Sequence, residues 1–288
     1  MVRYYQFAGV EIGFVMSEDE IYQNERNLKP FRVEQANAPH MFTFEWCDQM
    51  PEPTGKPIEK KDDFCVYQSG EMLQRYFRVN KGDWETALMC VEGSGKDHRV
   101  HARRDRFRGY IPAHIALNAI SAEHLIAQKG GFIFHCAYID HSGKAILFTA
   151  PSGTGKSTQA ELWKNLRGSE IINGDRAAVR VADGILLAEG IPFAGSSGVC
   201  KNRTLPIAAI VYLAQAPETS ISKLNGISAF RHIWEGCSVN QWNRDDVSVA
   251  ADTAMAVVNR VPVYYMPCTP DETAVSALEQ MLKEQIGL

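Results

Sequence analysis

The chain has 288 residues, 45% of them hydrophobic, with a net charge of −4 and a pI near 6.1. That is enough apolar material for one large domain or two small ones, and it offers no overall positive charge for nucleic acid or an anionic membrane surface. The seven cysteines stand singly with no C-x-x-C pair, so the sequence writes neither a zinc site nor a disulfide framework, and scattered thiols fit a reducing compartment.

The stretch from Met1 to Met16 contains Glu11 and lacks a basic start followed by an apolar block, unlike a signal peptide. Apolar runs such as Ala208 to Ala214 fall far short of the ~18 residues of a spanning helix. The expectation is a cytoplasmic protein without membrane or nucleic-acid partners; a homo-oligomer is compatible with it.

Residues 1–110 read as a β-rich N-terminal domain, a candidate for substrate or partner binding. Tyr4 to Met16 is apolar and β-prone, and Met41 to Trp46 alternates. Pro51 to Asp63, rich in Pro, Lys, Glu and Asp, predicts a solvated loop. Phe64 to Tyr67 and Tyr76 to Val79 flank Gly70 as a hairpin, and Trp84 to Val91 continues as strand until Gly93-Ser94-Gly95. Arg99, Arg103, Arg104, Arg106 and Arg108 then crowd together with His98 and His101. Such a run can read phosphate or an acidic peptide, but a solvated strand and loop is the better account.

The pattern changes near Gly109, and residues 111–288 read as an α/β nucleotide-binding domain. Pro112 suits a first helical turn. Ile115, Ala119, Ala122, Leu125 and Ile126 recur at helical spacing until Gly130-Gly131. Phe132 to Ile139, a turn at Ser142-Gly143, and Ala145 to Thr149 predict two strands. After the loop described next, a helix runs to about Leu166, Ala182-Asp183-Gly184 marks a hairpin, Ile207 to Ala214 is a strong strand, and two late helices flank the strand Pro262 to Met266.

Ala150-Pro-Ser-Gly-Thr-Gly-Lys-Ser157 lies between a predicted strand and a predicted helix. This is a phosphate-binding loop in its required context. Triphosphate oxygens need many donors in a small volume. A Gly-rich turn supplies inward N–H groups and the helix N-terminus adds positive potential. Ser152, Gly153, Thr154, Gly155, Lys156, Ser157 and Thr158 are the expected nucleotide contacts. Lys156 reaches the β- and γ-phosphates and the Ser157 hydroxyl holds Mg²⁺. Ala150 replaces the first Gly of the usual motif, at a cost on the order of 1 kcal/mol if that site requires positive φ. The expected ligands are ATP and Mg²⁺.

The strand Phe134-His135-Cys-Ala-Tyr-Ile-Asp140, the turn at Gly143 and the strand into S-G-x-G-K-S resemble the HPr kinase/phosphorylase family. They also resemble its kinase-like relatives encoded beside peptide-modifying enzymes. The resemblance covers about residues 130 to 288. It implies a mixed-sheet P-loop kinase core related to phosphoenolpyruvate carboxykinase, behind a separate, smaller β-rich domain. It also implies active-site roles for His135 and Asp175, the latter in Ile171-Ile-Asn-Gly-Asp-Arg176, and matches Pro192-Phe-Ala-Gly-Ser-Ser197 to a family loop. Two positions depart from the family: Gly174 stands where the family has a second Asp, and Pro151 where an acid is usual. The lost acids weigh against the family's reverse, dephosphorylating activity.

Asp175 follows a short strand and is read as a Mg²⁺ ligand or as the base for an acceptor hydroxyl; a turn residue beside Gly174 is the plain alternative. His135 could steer the γ-phosphate or orient the acceptor, or be a hydrogen-bonded core residue. Glu189 is a further candidate Mg²⁺ ligand, though a lone carboxylate is most often a surface charge. Lys201 and Arg203 could neutralise phosphate or lie on a solvated face. The leading reading is an ATP-dependent kinase that phosphorylates a hydroxyl, a Ser in a peptide or protein. Against it stand a non-catalytic ATP-binding module that presents a peptide to another enzyme, and a nucleotide kinase.

Overall fold

In the computed structural model, residues 2–16, 27–78, 83–107, 111 and 113–288 are described. Val79, Arg108, Gly109 and Pro112, named above, lie outside them, as does Met1. The protein is mixed α/β with two large mixed sheets, and the chain forms two compact units, residues 2–6 with 10–121 and residues 7–9 with 122–288.

The first unit is built on one nine-stranded sheet in the order β3-β1-β2-β4-β9-β8-β7-β6-β5. Its strands are β1 (Val2–Phe7), β2 (Val10–Val15), β3 (Arg32–Val33), β4 (His40–Cys47), β5 (Lys56–Lys60), β6 (Phe64–Ser69), β7 (Met72–Phe77), β8 (Met89–Ser94) and β9 (Asp97–Arg103). The apolar run from Tyr4 to Met16 is thus two strands, parted where Ala8 and Gly9 both take positive φ, 47° and 70°, as a tight hairpin turn requires. The polar stretch from Pro51 to Asp63 is not all loop: β5 pairs with β6 at the sheet edge. Its charged residues and Pro57 suit an edge strand, where nothing further pairs. Gly93 belongs to β8, and the chain turns at Gly95, φ 59°.

The predicted helix after Pro112 is two short helices, α1 (Ala113–Ala119) and α2 (Ala122–Ala127), broken by Ser121 at φ 50°. A single left-handed residue is enough to end an α-helix. The first helix groups with the first unit and the second with the second.

The second unit contains β10 (Gly131–His141), β11 (Lys144–Thr149), α3 (Lys156–Arg167), β12 (Glu170–Asn173), β13 (Arg176–Ala182), β14 (Ile185–Gly190), β15 (Thr204–Gln215), β16 (Ser222–Leu224), α4 (Gly226–Glu235), β17 (Cys237–Ser238), α5 (Arg244–Arg260), β18 (Val263–Cys268) and α6 (Glu272–Ile286). β10 and β15 are about twice the usual strand length, and each serves two sub-sheets. The first half of β10 pairs with β13 and its second half with β11 and β12; the start of β15, Thr204 to Pro206, pairs with β14 and the rest with β11 and β18. Ile233, Ala250, Ala254 and Val257 of α4 and α5 cover one face of the sheet. Ala160, Trp163, Ala274 and Leu278 of α3 and α6 cover the other. α4 is a third late helix that the sequence pattern did not announce. Among the described residues no helix is long and apolar enough to cross a membrane.

Candidate functional site

β11 ends at Thr149 and α3 begins at Lys156, so Ala150 to Gly155 form the predicted turn between strand and helix. Gly153 and Gly155 take φ of 79° and 120°, conformations an L side chain rarely adopts. A Cβ at either would meet nothing within 4 Å, so the glycines are there for the backbone path and leave the cradle open. Ala150 is not among the residues with positive φ, so replacing the first Gly of the usual motif costs no backbone strain at this position. The N-cap Gly155 has no side chain to accept from the first turn of α3, which leaves its N–H groups for a ligand. The helix stops at Gly168 in the left-handed region, where Gly168 N donates to Lys164 O.

Lys156 is buried, 8% exposed. Its Nζ donates to Ala150 O at 2.9 Å and to Pro151 O at 3.3 Å, and among the described residues it makes no ion pair. Burial pushes its pKa down; Asp175 pulls it back up. Its hydrogen bonds among the described residues go to neutral carbonyls, so its charge is not cancelled at contact distance. Ser157 and Thr158, in the first turn of the helix, are exposed.

Asp175 sits where β10 changes partners. Asn173, the last residue of β12, faces Tyr138, while Arg176, the first of β13, faces His135. The two residues between them form a turn tied by Asn173 Oδ1, which accepts from Asp175 N (3.0 Å) and Arg176 N (3.1 Å), while its Nδ2 donates to Ile191 O. The Asp175 carboxylate lies 3.5 Å from His135 Nε2 and 3.2 Å from Arg176 Nε. Hydrogen bonding from His135 first, and the charge of Arg176 beside it, hold the carboxyl below the usual Asp range against the opposing effect of burial. The turn packs against Gly195 and Ser197. A Cβ on Gly195 would stand 2.6 Å from Asp175 Cγ, and one on Gly174 would stand 2.2 Å from Ser197 Oγ. Cys136 follows His135 but is fully buried, and burial pushes its thiol pKa up, so it is no nucleophile.

The other candidates fall elsewhere. Glu189 is a buried ion-pair residue: Arg180 engages both its oxygens and Thr204 Oγ1 donates to one of them. Three of the roughly four acceptor positions of its carboxylate are thus occupied by protein donors. Lys201 pairs with Glu170 and Arg203 with Asp140. In the arginine run, Arg99 meets Glu45, Arg103 and Arg106 meet Asp105, and Arg104 meets Asp48, so these four are neutralised on the first unit's surface. Among the described residues no three His, Cys, Asp or Glu side chains converge on a metal position.

Sequence reasoning missed a cleft beside the loop. It encloses about 540 Å³ between Ser152, Gly153 and Thr154, Tyr212 and Gln215 of β15, His232 of α4 and Tyr265 of β18. These residues lie at unrelated spacings: the register of β15 with β18 brings the two tyrosines together, and α4 adds His232.

No family model and no curated protein matches the chain. The solved structure of the Hpr(Ser) kinase/phosphatase from Coxiella burnetii overlaps 53% of this chain and 93% of its own length, at 12% identity and a TM-score of 0.29. A likeness that slight carries no argument about fold or activity.

Proposed function

We propose that the second unit binds ATP with Mg²⁺ on the loop from Ala150 to Ser157 and transfers the γ-phosphoryl group to a hydroxyl, a Ser in a peptide or protein. The observation that carries the reading is Lys156: a buried ammonium, without a carboxylate partner among the described residues, at the head of an uncapped helix and behind a turn held open by two left-handed glycines. The Ser157 hydroxyl and the ionised Asp175 are of the right chemistry to hold Mg²⁺, with phosphate oxygens and water filling the remaining positions. When bound, that ion neutralises charge on the β- and γ-phosphates.

Lys156 would leave the loop carbonyls for the phosphates. In its alternative role as base rather than metal ligand, Asp175 would orient the acceptor hydroxyl; as the hydroxyl oxygen bonds to phosphorus and the β–γ bridge breaks, the proton would pass to the carboxylate and ADP would leave with the electron pair. A carboxyl with a lowered pKa is a weak base, so Asp175 is suited to positioning and to accepting a proton late. His135 would hold Asp175 in place. The serine acceptor rests on the sequence resemblance.

A second reading, a non-catalytic ATP-binding module, is favoured by Gly174, which leaves one acid where the resembling family has two. Calorimetry with Mg-ATP and phosphate transfer to peptides test both. Lys156→Ala should weaken Mg-ATP by about 1.5–3 kcal/mol, the scale of a hydrogen bond to a charged group. Unchanged affinity would overturn the binding site. Binding without transfer to any peptide would favour the module.

A further inference from the structure

We propose that the aromatic cleft beside the loop is the seat of the nucleobase, with Tyr212, His232 and Tyr265 as its stacking faces and Glu235 as the residue that positions them. The inference rests on the nucleotide-binding reading above and specifies where the neutral end of the ligand lies.

Strand register fixes the direction. Thr149, the last residue before the loop, pairs with Cys136 on one side and Tyr212 on the other, and Tyr212 pairs in turn with Tyr265. These four form one row across the sheet. At its first end, Cys136 N donates to Asp175 O at 3.0 Å, which brings the acid to that flank. At its other end stand the two tyrosines. Three interstrand steps of ~4.8 Å make the row about 14 Å long, the reach of an extended nucleoside triphosphate. A nucleotide with its γ-phosphate at the Asp175 flank and its phosphates on the loop would reach the tyrosines by continuing along this row.

The chemistry of the lining agrees. Apart from the loop residues on its near side, the cleft is lined by neutral groups, with no Asp, Glu, Lys or Arg among them, so its far side brings no charge to a phosphate. It offers three partly exposed rings: Tyr212 and His232 have centroids 4.1 Å apart, and His232 and Tyr265 are near parallel at 12°. Its volume lies within the ~300–1,000 Å³ of small-molecule sites. At the rim, Gln215 Nε2 donates to Gly153 O at 3.4 Å, which ties the cleft to the loop and leaves the amide oxygen for a base edge.

The rings are also held in advance. Tyr212 OH donates to Glu235 Oε2 at 3.2 Å, His232 Nδ1 lies 3.4 Å from the same oxygen, and Arg231 Nε donates to the other at 3.3 Å. One carboxylate therefore sets two of the three faces, and a preorganised shelf loses less entropy on binding.

The test compares Mg-ATP with Mg-tripolyphosphate, which has the phosphates but no base, by calorimetry on the full chain. His232→Ala should weaken Mg-ATP by about tenfold, the scale of one base–aromatic stack, and leave tripolyphosphate within twofold. Glu235→Gln should produce a smaller loss for ATP alone. Photolabelling of the wild-type protein with 8-azido-ATP should mark the peptides containing Tyr212, His232 or Tyr265, and needs no variant to fold. The inference is overturned if His232→Ala leaves ATP affinity unchanged, if both ligands weaken together, if wild type holds ATP no better than tripolyphosphate, or if the label lies elsewhere. Retained ATP affinity with lost transfer to peptide would make the cleft an acceptor site. Wild type that binds neither ligand overturns the nucleotide reading and this one with it.

Discussion

Asp175→Asn separates a catalytic acid from a structural one. The carboxylate is 29% exposed and touches His135 at 3.5 Å and Arg176 at 3.2 Å, and both partners are more exposed than it is. Pairs this wet contribute little, so removing the charge should cost the fold only about 1 kcal/mol, or about 2–4 °C in Tm for a unit of this size. Asn keeps the shape, and the turn is held by Asn173 rather than by the Asp175 side chain, so packing survives. Phosphoryl transfer should instead fall by about 10² or more, close to 2.7 kcal/mol of transition-state free energy. Because Asp175 is depressed in the folded state, its contribution to stability is fully present above the unfolded Asp pKa of about 4 and is lost as pH falls through the lower folded value. The stability gap between wild type and variant should thus be constant near neutral pH and close in acid. Chemical denaturation at several pH values, beside transfer kinetics with saturating ATP, reads both. A transfer loss under tenfold would refute the catalytic assignment, and a stability loss above ~3 kcal/mol would show instead a structural pair of the buried kind.

Three further outcomes follow from the same geometry. Gly195→Ala forces a Cβ to 2.6 Å from Asp175 Cγ at a φ of 54°; it should destabilise by ~1–3 kcal/mol and depress transfer more than ATP affinity, while equal losses in both would contradict it. Ala150→Gly should change ATP affinity by less than about tenfold, since Ala150 has no left-handed strain to relieve; a larger gain by calorimetry would mean a damaged loop. Glu189→Gln should cost about 3 kcal/mol in thermal or chemical unfolding, as one half of a buried pair, and leave the Mg²⁺ dependence of ATP binding unchanged; a shifted Mg²⁺ dependence would restore it as a ligand.

What the sequence carries legibly is local. The turn from Ala150 to Gly155 is specified by glycines whose backbone no other residue readily adopts, and the end of α3 by Gly168. The hairpin at Asp183-Gly184 has both residues at positive φ, the signature its dipeptide implies. Where register decides, local pattern fails. β5 is a charged segment made a strand by β6 alone, and the helix after Pro112 keeps its apolar spacing through a break that Ser121 does not advertise. The cleft is the extreme case, because Tyr212 and Tyr265 are neighbours only through the pairing of β15 with β18. The ion pair of Glu189 is hidden for a related reason. Its partner Arg180 is nine residues away across the β13–β14 hairpin, and sequence alone does not say that the carboxylate is already taken.

The single acid follows from the same packing. Gly174 and Gly195 are the two points where the Asp175 turn and the loop carrying Ser197 press together. An acid at 174 would need its Cβ within 2.2 Å of Ser197 Oγ and 2.6 Å of Ser197 Cβ, so the loop would have to move before a second carboxylate could enter. Ser197 is itself fixed by donating to Ala194 O at 2.7 Å. The one-acid arrangement is therefore matched by its neighbours, and introducing a second acid at 174 would require a compensating change in this loop. Two carboxylates would also repel; the hydrogen bond from His135, and then the charge of Arg176, instead keep the remaining one ionised. A site with one firmly ionised acid and one buried lysine can attract Mg-ATP. It has a weaker base than a paired-acid site, in which one carboxyl's pKa is raised, so slow transfer rather than none is what this geometry predicts.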